Sequence, residues 1–392
     1  VGLRLTIVVE PLEAKTLEYE AVARTGLTDF GTGDWREALA VLLDSAEQEA
    51  QLSATGRLLL HWQVLDRLVN RLEIQEWVAR HPEVRDQRVE APLILATLPR
   101  TGQTAAGWIL DRDPANRSLQ TWFAKRPCPP PRPGRNRGDP RVERAHAAVA
   151  ALPRELRALH LTAADEPDEC HWLLSNGLKT PHEIYSMRVP GYYRWLRDDA
   201  GMRSTYAYYH LQLQLLQSRT PNRRWVLRNS PHLLYLEHLH AVLPDAIFVQ
   251  FHRDPLEVLA SNCRLAVVLR NMASYWVDPH EVGSSMLLLL RDYLERLLRF
   301  RASGRSRPWI DVRFADFVAD PVGVIEGLYD SAGIPLAAEA RQAMAAWVRE
   351  HPRQDLPRSR ASELAAYGID PADARAAFAE YCETFDVRLD GV

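Results

Sequence analysis

Through roughly the first ninety positions the apolar residues recur with a helical period. Asp34-Trp-Arg-Glu37 has capping-box spacing, with Asp34 placed to accept from early helix amides. After it, Trp35, Ala38, Leu39, Leu42 and Leu43 recur at i, i+3, i+4, i+7 and i+8, which predicts one buried helix face. A second helix is predicted from Gly56 to Arg80, with Leu58, Trp62, Leu65, Val69 and Leu72 on its buried side. It should end near His81-Pro82, because proline disfavours helix in the residue before it.

The pattern then changes. Leu93–Leu98 is a continuous apolar run, suited to a strand buried on both faces. It leads into the polar stretch Pro99–Thr104 and then into Ala105–Leu110, which can form a helix. Further strands are predicted at Trp225–Arg228, Ile247–Phe251 and Trp309–Phe314, with helical patterns between them that include Ser284–Arg301. Strands so widely spaced indicate a parallel sheet with right-handed crossovers. The expected organisation is a helical N-terminal region over 1–88 and an α/β domain over 89–392. Within that domain, 125–138 is a Pro/Arg-rich loop and 139–222 a helical insertion. Residues 125–137 hold five prolines and five basic residues without apolar periodicity, which predicts an extended, mobile lid.

Composition narrows the function classes. The 392 residues carry 48 basic and 51 acidic side chains, a net charge of −3, which argues against a dedicated nucleic-acid binder. No apolar stretch approaches the ~18–20 residues needed to cross a bilayer. Val1–Ile7 shows no long apolar core of a signal peptide. Cys128, Cys170, Cys263 and Cys382 form no C-x-x-C pair and read as reduced thiols, which points to a cytoplasmic protein.

The candidate chemistry lies at predicted strand ends. A buried strand, a Gly-containing turn and a helix start together offer free amides and the positive end of a helix dipole, an anion cradle. Around it Arg100 adds charge, Thr101 and Thr104 add hydroxyls, and Gln103 adds an amide beside Gly102. A Walker loop is absent, since no Lys precedes Thr104; the bland alternative is a plain strand-to-helix turn. Arg253 ends another strand, and Ser261 lies two turns along the helix that Asp254-Pro255 should start. Ligands of open α/β sheets bind at such carboxyl ends, so the two loops can face one crevice; the alternative for Arg253 is a salt bridge to Asp254 or Glu257. His232 follows the third strand end, where a lone His is more often structural than catalytic. Glu169 closes an acidic run; it is a second acid–base candidate beside His232 if that loop folds over the acceptor, while the favoured reading is a solvated loop, and His238 and His240 sit on different helix faces, which disfavours a shared metal.

Taken together, these segments resemble the PAPS-dependent sulfotransferases, specifically a bacterial branch with a long helical N-terminal region. The resemblance rests on Pro99-Arg-Thr-Gly-Gln-Thr104, on Arg253 with Ser261, and on His232 twenty-one residues before Arg253. Flanking segments agree, among them Asp139-Pro-Arg141, Val189–Trp195, Leu243–Ala246 and Ala365–Ile369. It implies a P-loop-like parallel sheet flanked by helices, with 139–222 on the acceptor side. It implies that Arg100, Thr101, Gly102, Gln103 and Thr104 hold the 5′-phosphosulfate, and that Arg253 and Ser261 hold the 3′-phosphate. His232 would be the catalytic base and Arg100 the charge at the leaving oxygen. The donor would be PAPS, the product adenosine 3′,5′-bisphosphate, and the acceptor a hydroxyl, or less readily an amine, of a small or lipid-like molecule; no metal is called for, and a homodimer is left open. Departures from the usual pattern are Gln103 for Thr, Gly107 for a larger polar residue, Arg228 for Lys, and Pro231 shifted by one place. Tyr192, Tyr193, Trp195, Tyr206, Tyr208 and Tyr209 can line an acceptor pocket or form helical core. The rival readings are a P-loop nucleotide-dependent phosphotransferase, distinguished by magnesium dependence, and a non-catalytic PAPS-binding or adaptor protein that uses Lys125–Arg137.

Overall fold

The computed structural model describes residues 12–132, 138–159, 162–198, 201–220, 223–352 and 361–389. Its centre is a sheet of strands β1 (Leu93–Leu95), β2 (Asn116–Ser118), β3 (Arg224–Arg228), β4 (Ile247–His252) and β5 (Ile310–Arg313). The strands run in the order β2-β3-β1-β4-β5, and every pair is parallel. Leu93 is paired with Val226 on one side and Ile247 on the other, so β1 is the central strand. The connections leave it on both sides, which opens a crevice at its carboxyl end.

The period of two explains both faces. Leu93, Leu95, Val226, Val249 and Phe251 pack against the helices Gln103–Leu110, Pro321–Ala332 and Ala338–Glu350. Ile94, Leu227 and Phe248 face a larger core that also contains the N-terminal helices Ala14–Thr25, Trp35–Glu49 and Ala54–Arg80. The N-terminal region therefore shares one continuous apolar core with the sheet.

Several expectations change. Strand β2 is missed by an apolar pattern because it is Asn-Arg-Ser; it is held by polar bonds, with Asn116 donating to the Leu110 carbonyl at 2.8 Å and to the Tyr329 hydroxyl at 2.7 Å. The helix Ala54–Arg80 buries Leu65, Val69 and Leu72 as expected, but Leu58 and Trp62 are 55% and 44% exposed. Its first turns turn Gly56 and Leu60 inward instead, with Gly56 pressed on the Ala273 carbonyl, where a Cβ would not fit. Asp34 makes no cap bond; its carboxylate takes the Ser204 hydroxyl at 2.6 Å and the buried Lys179 ammonium. Tyr192, Tyr193, Tyr206 and Tyr209 are core, each 5% exposed or less.

Residues 125–132 are anchored, contrary to a mobile lid. Arg126 pairs with Asp66 at 2.9 Å, and Arg141 donates to the carbonyls of Arg126 and Pro129 at 2.8 and 2.7 Å. Residues 133–137 lie outside the described residues. No described helix is long and apolar enough to cross a membrane.

Candidate active site

The stretch between β1 and the helix Gln103–Leu110 is a compact turn held from within. Thr97 donates its hydroxyl to the Phe251 carbonyl at 2.9 Å, and Thr101 donates to the Leu98 carbonyl at 2.7 Å. Thr101 is fully buried, so its hydroxyl braces the loop and is not offered at the rim. Arg100 takes a left-handed φ of 65° and Gly102 one of 92°. Only Gly102 could be placed so cheaply: a Cβ there would meet the rings of Phe314 and Phe317 at 3.2 Å. The turn leaves the first amides of the helix without carbonyl partners inside it, which is the anion-binding end. Gln103 turns inward and donates to Ser230 at 3.0 Å, tying the loop to the end of β3.

The structure brings the second predicted site against this loop. Arg253 donates to the Arg100 carbonyl at 2.6 Å, and its guanidinium lies 4.6 Å from the Phe314 ring centroid, the ring beneath Gly102. Arg100 donates from Nε to the Ser261 hydroxyl at 3.0 Å. Arg253 also pairs with Glu257 at 2.7 Å, so the salt bridge anticipated as its alternative exists, at the edge of the same site. Asp254 caps the helix Pro255–Asn271 by accepting from the Leu256 amide at 2.8 Å, which aims Ser261 at Arg100. Burial first, and then Arg253, lowers the pKa of the Arg100 guanidinium, the signature of positive charge gathered without a full counter-charge.

On the other flank stand Arg228, which the sequence pattern did not assign to the site, and Glu169, which it offered only as an alternative to His232. Arg228 ends β3 and is 3% exposed; it donates to the Thr104 hydroxyl at 3.1 Å, to Glu169 at 3.0 Å and to the Pro167 carbonyl at 3.0 Å. Gly107 makes this placement fit, since a Cβ would come within 3.2 Å of the Arg228 side chain. The two departures at 107 and 228 therefore compensate one another. Glu169 belongs to this buried ion pair and is not part of a solvated loop; burial raises its pKa despite Arg228. Its second oxygen lies 4.0 Å from His171, which stacks on His182 at 4.1 Å. Asp168 is saturated: it accepts from the Glu169 amide, the Trp172 indole and the Thr121 hydroxyl at 2.7, 2.9 and 3.0 Å. A charged residue closing an otherwise apolar strand was the signal for Arg228.

His232 lies in the turn Ser230–Tyr235, two residues beyond the partner of Gln103. It is fully buried, its Nδ1 is bonded to the Tyr206 hydroxyl at 2.9 Å, and its ring lies between Tyr206 and Tyr209. Burial holds its pKa down at about 3 against an ordinary 6.5. The folded state refuses the proton, so the stability contributed by neutral His232 is full above pH 6.5 and is lost as pH falls toward 3. Between pH 7 and 4.5 the loss should be about 2–3 kcal/mol. His232→Gln should accordingly lose less stability than the parent on acidification, read from thermal midpoints at both pH values; equal losses would contradict the burial of the imidazole.

The family model described as the sulfotransferase family matches residues 92–338. No curated protein sequence matches the chain. Among solved structures, the sulfotransferase STF9 from Mycobacterium avium is 31% identical over 97% of this chain and 98% of its own, with a TM-score of 0.89. The sulfotransferase STF1 from Mycobacterium tuberculosis is 31% identical over 94% and 99%, with a TM-score of 0.82.

Proposed function

The chain belongs to the sulfotransferase family, and from that premise we propose that it transfers the sulfuryl group of PAPS to a hydroxyl of a small-molecule or lipid-like acceptor. The observation that carries the reading is the meeting of two anion sites: Arg253 and Ser261 both touch Arg100, at the rim of the Gly102 turn. PAPS supplies a sulfuryl group on a phosphate leaving group, with a further phosphate on the ribose. Donors at this spacing fit those two charged ends. Gly102 lets the turn take its left-handed φ while packed on Phe314 and Phe317, which turns the following helix amides toward an oxyanion.

Each residue then has a task. The amides at the start of the helix Gln103–Leu110 hold the 5′-phosphosulfate end. Arg253 and Ser261 hold the 3′-phosphate by charge-assisted bonds. Arg100 and Arg228 flank the loop from opposite sides, placed to meet negative charge growing on the leaving oxygen. The acceptor must lose a proton. We assign that proton to Glu169 in place of His232, because Glu169 is fixed beside Thr104 by Arg228 and burial raises its pKa above the ordinary carboxylate value, whereas His232 is buried among tyrosines with a pKa near 3. Tyr185, whose hydroxyl donates to Asn262 at 2.9 Å, stands within electrostatic reach of Glu169 and Arg100.

The reading is tested by calorimetry with adenosine 3′,5′-bisphosphate and AMP. The ribose phosphate should add about 1.5–3 kcal/mol, tightening binding by about 10–150-fold. Equal affinity for the two nucleotides would remove the basis for PAPS as donor.

A further inference from the structure

We propose that His171 relays the acceptor's proton away from Glu169 during sulfuryl transfer, a role that rests on the assignment of Glu169 as the base, and that His182, stacked on His171, keeps the relay to one proton at a time.

A buried base that takes a proton at each turnover must also give one up. The two carboxylate oxygens of Glu169 are not equivalent. Oε1 accepts from Arg228 Nη1 at 3.0 Å, which leaves Oε2 for the incoming proton. Oε2 lies 4.0 Å from His171 Nδ1. Of the two basic side chains paired with this carboxylate, only the imidazole can take a proton, because the guanidinium is already fully protonated. A small turn of the carboxyl group closes the remaining gap, as catalytic hydrogen bonds commonly tighten when substrate binds.

The backbone fixes the pair. Cys170 donates its amide to the Arg228 carbonyl at 3.0 Å, so the strand end that carries Arg228 also positions Glu169 and His171 on either side of Cys170. His171 opens the short helix His171–Ser175 and is 7% exposed. Its ring packs on Trp172 and His182 with centroids at 4.4 and 4.1 Å, and the two imidazole planes are tilted by 11°. His182 is only half-buried, so the stack reaches from the buried carboxylate toward solvent. Burial lowers the pKa of His182 against the opposing charge of Glu183. His182 therefore stays neutral while His171 is charged, since two imidazolium rings this close would repel. The other charges around the pair are Arg228 and Arg100 near Glu169, Asp168 and Lys125 at Trp172, and Arg67 and Glu183 near His182.

The step balances. As the new O–S bond forms, the acceptor O–H proton passes to Glu169 Oε2, and the S–O bond to the phosphate breaks with its electron pair on the leaving oxygen. The Glu169 proton then passes to Nδ1 of His171, in the tautomer that carries its hydrogen on Nε2. The imidazolium so formed gives one proton to solvent as the products leave.

The test measures PAPS turnover by the full chain with octanol and with water as acceptors. Wild type is compared with His171→Phe, His171→Gln, Glu169→Gln and the double variant His171→Phe/Glu169→Gln. Phenylalanine keeps the stack and glutamine keeps a polar group, and unchanged binding of adenosine 3′,5′-bisphosphate shows that the fold is intact. Both His171 variants should lower kcat by about 10–100-fold with KM little altered. In the Glu169→Gln background the second substitution should cost less than about twofold, because the relay has nothing to pass on. Full turnover in Glu169→Gln would remove the base assignment itself. A loss in Glu169→Gln with none in the His171 variants, or equal His171 losses in both backgrounds, would overturn the relay alone. Nitrogen NMR resonances of the histidines, recorded with adenosine 3′,5′-bisphosphate bound, need no acceptor. The His171 signal should shift across the pH range in which Glu169 titrates, and Glu169→Gln should abolish that step; a His171 titration untouched by Glu169→Gln would also overturn the relay.

Discussion

Glu169→Gln is expected to lower kcat by about 10²–10⁴-fold while leaving nucleotide affinity little changed. The glutamine keeps an oxygen for the Arg228 bond at 3.0 Å, so the buried arginine keeps a partner and the fold is spared the ~3–5 kcal/mol cost of orphaning it. What is lost is the ability to take a proton. In the parent, turnover should fall as pH drops through the Glu169 pKa, which lies above the ordinary carboxylate value because burial disfavours the anion. His232→Gln, assayed alongside, should retain far more turnover and show instead the changed acid stability described above. The assignment fails if the His232 variant loses turnover and the Glu169 variant does not.

Arg253→Ala should weaken adenosine 3′,5′-bisphosphate by about 10–150-fold and leave AMP unaffected, collapsing the preference between them. The specificity of the effect follows from position. Arg253 bonds the loop at the Arg100 carbonyl, and Arg100 in turn bonds Ser261, whereas the helix amides that would hold the 5′ end do not depend on it. A parallel loss for both nucleotides, measured by calorimetry, would show that Arg253 supports the loop and does not read the ribose phosphate.

Local pattern was enough for the fold class and for where its loops lie. The apolar runs at Leu93–Leu95, Arg224–Arg228, Ile247–His252 and Ile310–Arg313 are all strands, within a residue or a few of the predicted limits. Burial of both sheet faces demands such runs, so they are legible without tertiary information. The Gly102 turn was legible for a similar reason: few residues can take its φ, and the sequence places Gly there. The strand Asn116–Ser118 was not legible, because it is polar and held by bonds to residues distant in sequence, such as Tyr329.

The sequence by itself determined the parallel α/β core, the anion-binding turn and the residue types at the strand ends. Only the tertiary structure decided which of those residues meet. Arg100 and Ser261 are separated by 161 positions and Arg228 and Glu169 by 59, yet each pair is in hydrogen-bond contact. The same folding turned Thr101 and Gln103 inward, sealed His232 among tyrosines, and converted Glu169 from a residue of an acidic stretch into the partner of a buried arginine. The physical reason is that backbone propensity and periodicity act over a few residues, whereas burial, charge pairing and the pKa of a side chain are set by neighbours that only the packed chain supplies.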